Sequence, residues 1–173
     1  DSTLRRMNRK YTTEQYKNAV DLLRSSMPNV AITTDIMVGF PGETDEEFNE
    51  TMNFVKDIAF SRIHVFQYSP RKGTRAAGFP DQISADIKEQ RSHALIKLGE
   101  QLERAYIESF IGKKEEVLFE EENKDNRNLC VGYTEHYIRV AAEADRDVLN
   151  EIKLVLLSKV EENHILGTIV DEA

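Results

Sequence analysis

The chain has 173 residues, a net charge of −8, 40% hydrophobic and 31% charged residues, a composition normal for a globular protein with one full core or two small ones. No apolar run approaches the roughly 20 residues a membrane span needs, and a single cysteine, Cys130, excludes an internal disulfide, so no membrane is expected and a reducing cytoplasm is the expected compartment. From Lys113 onward 8 Lys and Arg face 15 Asp and Glu, a charge of −7 against −1 for residues 1–112, which argues against bulk attraction of nucleic acid and leaves RNA binding to local patches.

The chain starts at Asp1 rather than Met, with a charged helical-looking stretch, as a piece of a longer polypeptide or a processed terminus would. Thr12 and Gln15 form a capping-box pattern, and Tyr16, Val20, Leu23 and Met27 recur at helical spacing up to Pro28, predicting an amphipathic helix of about 14 residues. A strand is expected over roughly 31–38. Its run Ile36, Met37, Val38 lacks alternation, as in a parallel strand covered on both faces. Gly39-Phe40-Pro41-Gly42 then forces a sharp turn, and Thr44 with Glu47 starts a second helix carrying Phe48, Met52, Val55 and Ile58 on one face. The run Ile63 to Tyr68 reads as a second strand, which completes a βαβ unit with parallel strands.

Beyond a Gly-containing loop, Ser84 can cap a helix about 40 Å long, with Ile87, Ala94, Leu95, Leu98, Leu102, Tyr106 and Phe110 facing inward and Gly112 as its C′ residue. The period then changes. Val117 to Phe119, Leu129 to Val131, Tyr137 to Val140, Ile152 to Leu157 and Ile165 to Val170 are short β-branched runs, separated by polar turns at Lys124 to Asn128 and Glu161 to Asn163. They predict five antiparallel strands, most economically closed as a small OB-like barrel. The expected fold class is α/β: two domains, 1–112 and 113–173, the first with too few strands for a complete sheet. An open sheet edge there predicts dimerisation or aggregation.

Ligands of α/β sheets bind at the C-terminal ends of the strands, which makes Gly39, Phe40, Pro41, Gly42 and Glu43 the first candidate site. Glu43, Asp45, Glu46 and Glu47 would repel a polyphosphate, and no P-loop Lys-Ser/Thr follows, so a ligand with an ammonium group and ribose hydroxyls suits the loop better. A helix capped after a tight turn explains the same residues. Arg5, Arg6, Arg9 and Lys10, and Arg71, Lys72 and Arg75, are basic clusters that fit either phosphate-backbone contacts or a solvated face; Tyr68 and Ser69 sit at a strand end beside the second. Tyr133, His136, Tyr137 and Arg139 form a candidate base-stacking surface, half of it expected in the core. The four histidines show no metal-ligand spacing, Cys130 reads as a buried small hydrophobe, and no catalytic triad or carboxylate pair stands out. No metal ligand or catalytic residue is assigned.

Three motifs in order, Met7-Asn8-Arg9-Lys10-Tyr11-Thr12, Thr34-Asp35-Ile36-Met37-Val38-Gly39-Phe40-Pro41-Gly42-Glu43-Thr44 and Phe66-Gln67-Tyr68-Ser69-Pro70-Arg71-Lys72-Gly73-Thr74, resemble the radical-SAM methylthiotransferases. The first and third look most like the branch acting on threonylcarbamoyladenosine next to the tRNA anticodon. The resemblance implies that residues 1–112 close a partial parallel β/α barrel and that 113–173 form the RNA-holding barrel called TRAM. It further implies that S-adenosylmethionine (SAM) faces Gly39 to Glu43 and that Tyr68 to Thr74 border the substrate entrance; together with the basic cluster at the start of the chain, this makes Arg5, Arg6, Arg9, Tyr68, Ser69, Arg71 and Thr74 the expected substrate contacts, with tRNA as partner. The family's Cys-x-x-x-Cys-x-x-Cys motif, which holds the 4Fe-4S cluster that cleaves SAM, has no match in the chain. The chain alone is therefore expected to be inactive, with SAM and 4Fe-4S clusters belonging to a longer protein. Alternatives are an RNA-binding module and an enzyme modifying a ribosomal protein.

Overall fold

A computed structural model describes residues 1–124, 126, 128–161 and 164–170. The turns expected at Lys124 to Asn128 and Glu161 to Asn163 thus lie partly outside the described residues. The chain divides into two compact units, Asp1–Glu103 and Arg104–Ala173. This division falls inside the last helix, whereas the change of period seen in the sequence marks the first barrel strand at Lys114.

In the first unit, helices α1 (Ser2–Arg6) and α2 (Thr13–Ser26) precede strand β1 (Thr33–Val38), helix α3 (Asp45–Ile58), strand β2 (Arg62–Gln67), a 3-10 turn at Arg75–Gly78 and helix α4 (Ala85–Glu108). Both expected capping boxes are formed, Thr12 with Gln15 and Thr44 with Glu47. β1 and β2 pair in parallel, with Ile36 opposite Val65 and Met37 opposite Phe66. Val20, Val38, Val55, Ile58, Phe60, Leu95 and Leu98 form the core, joined by Ile36, Ile63 and Val65 from the strands. Each fully buried Leu or Val side chain there contributes on the order of 1.5–3 kcal/mol.

That arrangement corrects the expectation of a strand covered on both faces. Exposure alternates along β1 and β2, since every helix that joins this core does so on one side. Asp35, Met37, His64 and Phe66 are open, with Met37 39% and Phe66 52% exposed.

Helix α4 spans 24 residues, about 36 Å at the standard rise, and ends before Phe110. The Ser109 N–H is shared between the Ala105 and Tyr106 carbonyls, and the Phe110 N–H turns to Ile107, so the helix tightens and stops. Gly112, expected as the C′ residue, instead donates its N–H to the Leu157 carbonyl at 2.8 Å and leads into the barrel.

The second unit is a closed barrel of β3 (Lys114–Glu122), β4 (Leu129–Thr134), β5 (Arg139–Glu143), β6 (Ile152–Val160) and β7 (Ile165–Ile169) in the spatial order β3-β4-β5-β7-β6, with β3 also paired to β6. Phe110, Val117, Phe119, Cys130, Val140, Val155, Leu157 and Ile165 fill it. The barrel is not antiparallel throughout: β5 and β7 are parallel. Five strands cannot alternate direction around a closed ring, so one pair must run the same way.

Tyr137, expected to open a strand, lies before β5 with φ of 59° and is 80% exposed. Thr134 dictates this, its Oγ1 accepting from the His136 and Ile138 N–H groups while its carbonyl accepts from Tyr137.

Candidate functional site at the strand ends

The loop after β1 is built by two glycines and one buried carboxylate. Gly39 and Gly42 have φ of 73° and 76°, a region that costs other residues strain. The Glu43 N–H donates to the Phe40 carbonyl at 2.9 Å with Pro41 and Gly42 between them, the pattern of a type II turn. The Gly42 N–H donates to the Asp81 carbonyl at 2.9 Å. Glu43 is buried, and its carboxylate accepts from the Gly39 N–H and from Arg91 Nη1 at 3.0 Å. The same nitrogen reaches the Glu43 carbonyl at 3.1 Å, and Nη2 holds Asp45 at 2.7 Å. Burial pushes the Glu43 carboxyl above the ordinary carboxylate range, against the opposing pull of the Gly39 N–H and Arg91.

Arg6 closes the other side. It pairs with Glu47 at 2.5 and 2.9 Å, and its Nε would lie 3.6 Å from a methyl group at Gly42. Hydrogen bonding to Arg6 holds the Glu47 carboxyl below its ordinary range, and Glu47 raises Arg6 in return. Three of the four carboxylates expected to face a ligand are thus paired with arginines, Asp45 while still exposed.

Tyr68 continues β2 by donating its N–H to the Val38 carbonyl at 2.9 Å. Its ring packs edge-on against Phe40 at 5.2 Å, and Phe40 meets Phe79 at 6.2 Å. Lys88 Nζ stands 5.4 Å from the centre of the Tyr68 ring. Ser69, Arg71 and Thr74 are exposed, with Thr74 closing a turn onto the Arg71 carbonyl through its N–H and hydroxyl. Arg5 and Arg9 are exposed, and Arg5 donates to Ser2 Oγ at 3.1 Å. The structure therefore brings together Gly39 to Glu43, Tyr68 and Arg6, and leaves Arg5, Arg9, Ser69, Arg71 and Thr74 on the surface.

Arg91 and Lys88 were not legible as site residues. Arg91 did leave a signal: it stands midway between Ile87 and Leu95 at four-residue steps, a charge on the inward stripe of α4.

In the barrel, Tyr133 is exposed, and Arg139 pairs with Glu121 at 3.4 Å. His136 lies against Phe110 with Nε2 at 3.8 and 3.6 Å from Glu115 and Glu135, three groups with ligand atoms within 4.8 Å that sequence spacing did not reveal. Cys130 is buried, its Sγ 3.5 Å from the Ala144 carbonyl, and burial pushes its thiol up. A lone buried thiol does not fit an iron-sulfur cluster, which needs several thiolates. Among the described residues, no helix is long and apolar enough to cross a membrane.

The family model described as the radical SAM superfamily matches residues 1–55. The chain is 41% identical over 161 residues to the threonylcarbamoyladenosine tRNA methylthiotransferase MtaB of Bacillus subtilis, covering 92% of this chain and 36% of the relative. It is 38% identical over 168 residues to a tRNA-2-methylthio-N(6)-dimethylallyladenosine synthase of Oceanobacillus iheyensis, covering 97% and 32%, and 36% identical over 167 residues to that of Acetivibrio thermocellus, covering 96% and 35%. The chain belongs to the radical-SAM methylthiotransferase family and spans about a third of the length of these curated relatives.

Proposed function

We propose that the chain is the C-terminal portion of a tRNA-modifying methylthiotransferase, with 1–112 closing the radical-SAM barrel and 113–173 forming the TRAM barrel, and that its substrate is threonylcarbamoyladenosine next to the anticodon. The observation that carries this reading is the 41% identity to the threonylcarbamoyladenosine relative, set beside the parallel β1–β2 pair with its open face. A tRNA substrate also supports a cytoplasmic location.

SAM would lie against the backbone of Gly39 to Gly42. Arg91 and Glu43 hold that loop in shape, and Gly39 and Gly42 supply the positive φ it requires. Glu43 acts here as a positioning residue, because its carboxylate is already engaged. Arg5, Arg9, Ser69, Arg71 and Thr74, exposed on the first unit, are available to contact RNA. With a single buried cysteine the chain supplies no cluster site, so the chain alone cannot cleave SAM. After anaerobic reconstitution with iron and sulfide it is expected to hold no stoichiometric iron; a bound 4Fe-4S spectrum would refute this.

Mass spectrometry of tRNA nucleosides from cells lacking the parent gene tests the whole reading. Loss of the methylthio form with accumulation of plain threonylcarbamoyladenosine is expected. The 38% identical relative favours a second reading, in which the methylthio form of dimethylallyladenosine disappears instead. An unchanged profile would remove both.

A further inference from the structure

The acidic stretch Glu43 to Glu47 reads in sequence as a reason for phosphate to avoid the strand-end loop. The structure weakens that reading. Arg91 takes Glu43 and the exposed Asp45, and Arg6 takes Glu47, so two arginines offset part of the charge of three of the four carboxylates. Lys88 is left over. It is half-buried, and it has no carboxylate partner among the described residues.

Its position is fixed by packing. The aliphatic stem lies on Gly39, so closely that a methyl group there would come within 2.4 Å of Lys88 Cγ. The ammonium group stands over Tyr68, whose buried hydroxyl has no hydrogen-bond partner among the described residues. Tyr68 in turn adjoins the C-terminal ends of both strands, where α/β sheets bind ligands. The next turn adds Arg71, Lys72 and Arg75, all exposed and none in an ion pair among the described residues. An ammonium binds phosphate as a compact point charge, and the neighbouring arginines can add bidentate contacts to the same kind of group.

We propose that Lys88, held between Gly39 and the Tyr68 ring, is a phosphate-binding residue of the strand-end site. The phosphate has two sources, an RNA phosphodiester or the phosphate of a small nucleotide; the first rests on the tRNA reading above.

Binding of total tRNA and of inorganic pyrophosphate to the full chain, across a salt series, tests the proposal with Lys88→Gln and Lys88→Arg. Lys88→Gln is expected to weaken tRNA binding and to flatten the slope of log K against log salt by about 0.7–0.9, the share of one phosphate contact. Lys88→Arg is expected to restore the slope, and neither variant should move the thermal midpoint. Weakened pyrophosphate binding with an unchanged tRNA slope keeps the residue's role and assigns the small-molecule source. If wild type binds tRNA and Lys88→Gln alters neither ligand, the proposal is overturned while the tRNA reading stands. If wild type binds pyrophosphate through Lys88 but no tRNA, the proposal stands and the tRNA reading loses its support. If wild type binds neither, Lys88 is no phosphate site.

Discussion

The two units solve the same problem, covering a small sheet, in opposite ways. The barrel turns its sheet into a ring, so Val117, Phe119, Val140, Val155 and Leu157 face one another and no strand is left with a free edge. The first unit covers one face of two strands with helices and leaves Met37 and Phe66 open on the other. A ring is complete with its own five strands, whereas a parallel pair is complete only with further layers. The candidate site lies in the unit whose sheet is unfinished, and it is there that a buried ion pair, Arg91 with Glu43, stands.

That contrast can be broken most sharply at Arg91. Arg91→Met leaves the Glu43 carboxylate buried beside the Gly39 N–H without its cation, and is expected to cost about 3–5 kcal/mol in the first unit alone. Hydrogen exchange would show β1 and β2 losing protection while β3 to β7 keep theirs; equal loss in both would mean the units are not energetically separate. The double variant Arg91→Met with Glu43→Gln should recover part of the loss. Leu157→Ala is the converse, expected to cost about 2–5 kcal/mol with the loss confined to the barrel.

A smaller effect distinguishes the two carboxylates of the site by the sign of their pH dependence. Glu47 is held below its ordinary range, so its pairing with Arg6 stabilises the protein above that range and is lost as pH falls from there through its lower native value. Glu43 is raised, so its contribution is complete below the ordinary carboxylate range and declines as pH rises toward its higher native value. Stability measured against pH should therefore show a smaller acid-side fall in Arg6→Gln, an effect below about 1 kcal/mol. A fall of the same size in the variant would assign it to other groups.

The smallest expected effect on folding belongs to the open face. Met37→Gln with Phe66→Gln should change stability by about 0.5 kcal/mol or less, yet abolish any self-association seen in sedimentation velocity. A monodisperse monomer before substitution would remove the expectation that this sheet recruits a second copy.

Features carried by neighbouring residues were legible in the sequence, and features carried by closure were not. Thr12 with Gln15 and Thr44 with Glu47 specify their helix starts within four residues. The parallel β5–β7 pair joins Val140 to Ile165, and only the count of strands in a closed ring reveals it. Tyr137 reads as strand by side-chain type, but the Thr134 hydroxyl captures two nearby N–H groups and turns the chain. At the site, Gly39 to Glu43 could be found from the turn chemistry, while the role of Glu43 depended on Arg91, 48 residues away. The acidic cluster therefore overstated the free charge of the loop, because Arg6 and Arg91, distant in sequence, pair with three of its carboxylates.

The order β3-β4-β5-β7-β6 also divides the barrel by how far apart in the chain its partners lie. β3-β4, β4-β5 and β6-β7 pair strands that follow one another, and such hairpins form in about 1–10 μs. The β3-β6 and β5-β7 seams join distant segments and must wait for the three-strand meander to meet the hairpin. The parallel seam has only three register pairs, Val140 with Ile165, Ala141 with Leu166 and Ala142 with Gly167. With three pairs against the five that join β3 to β6, it is the shorter of the two seams and the one at which a partly folded barrel is expected to gape.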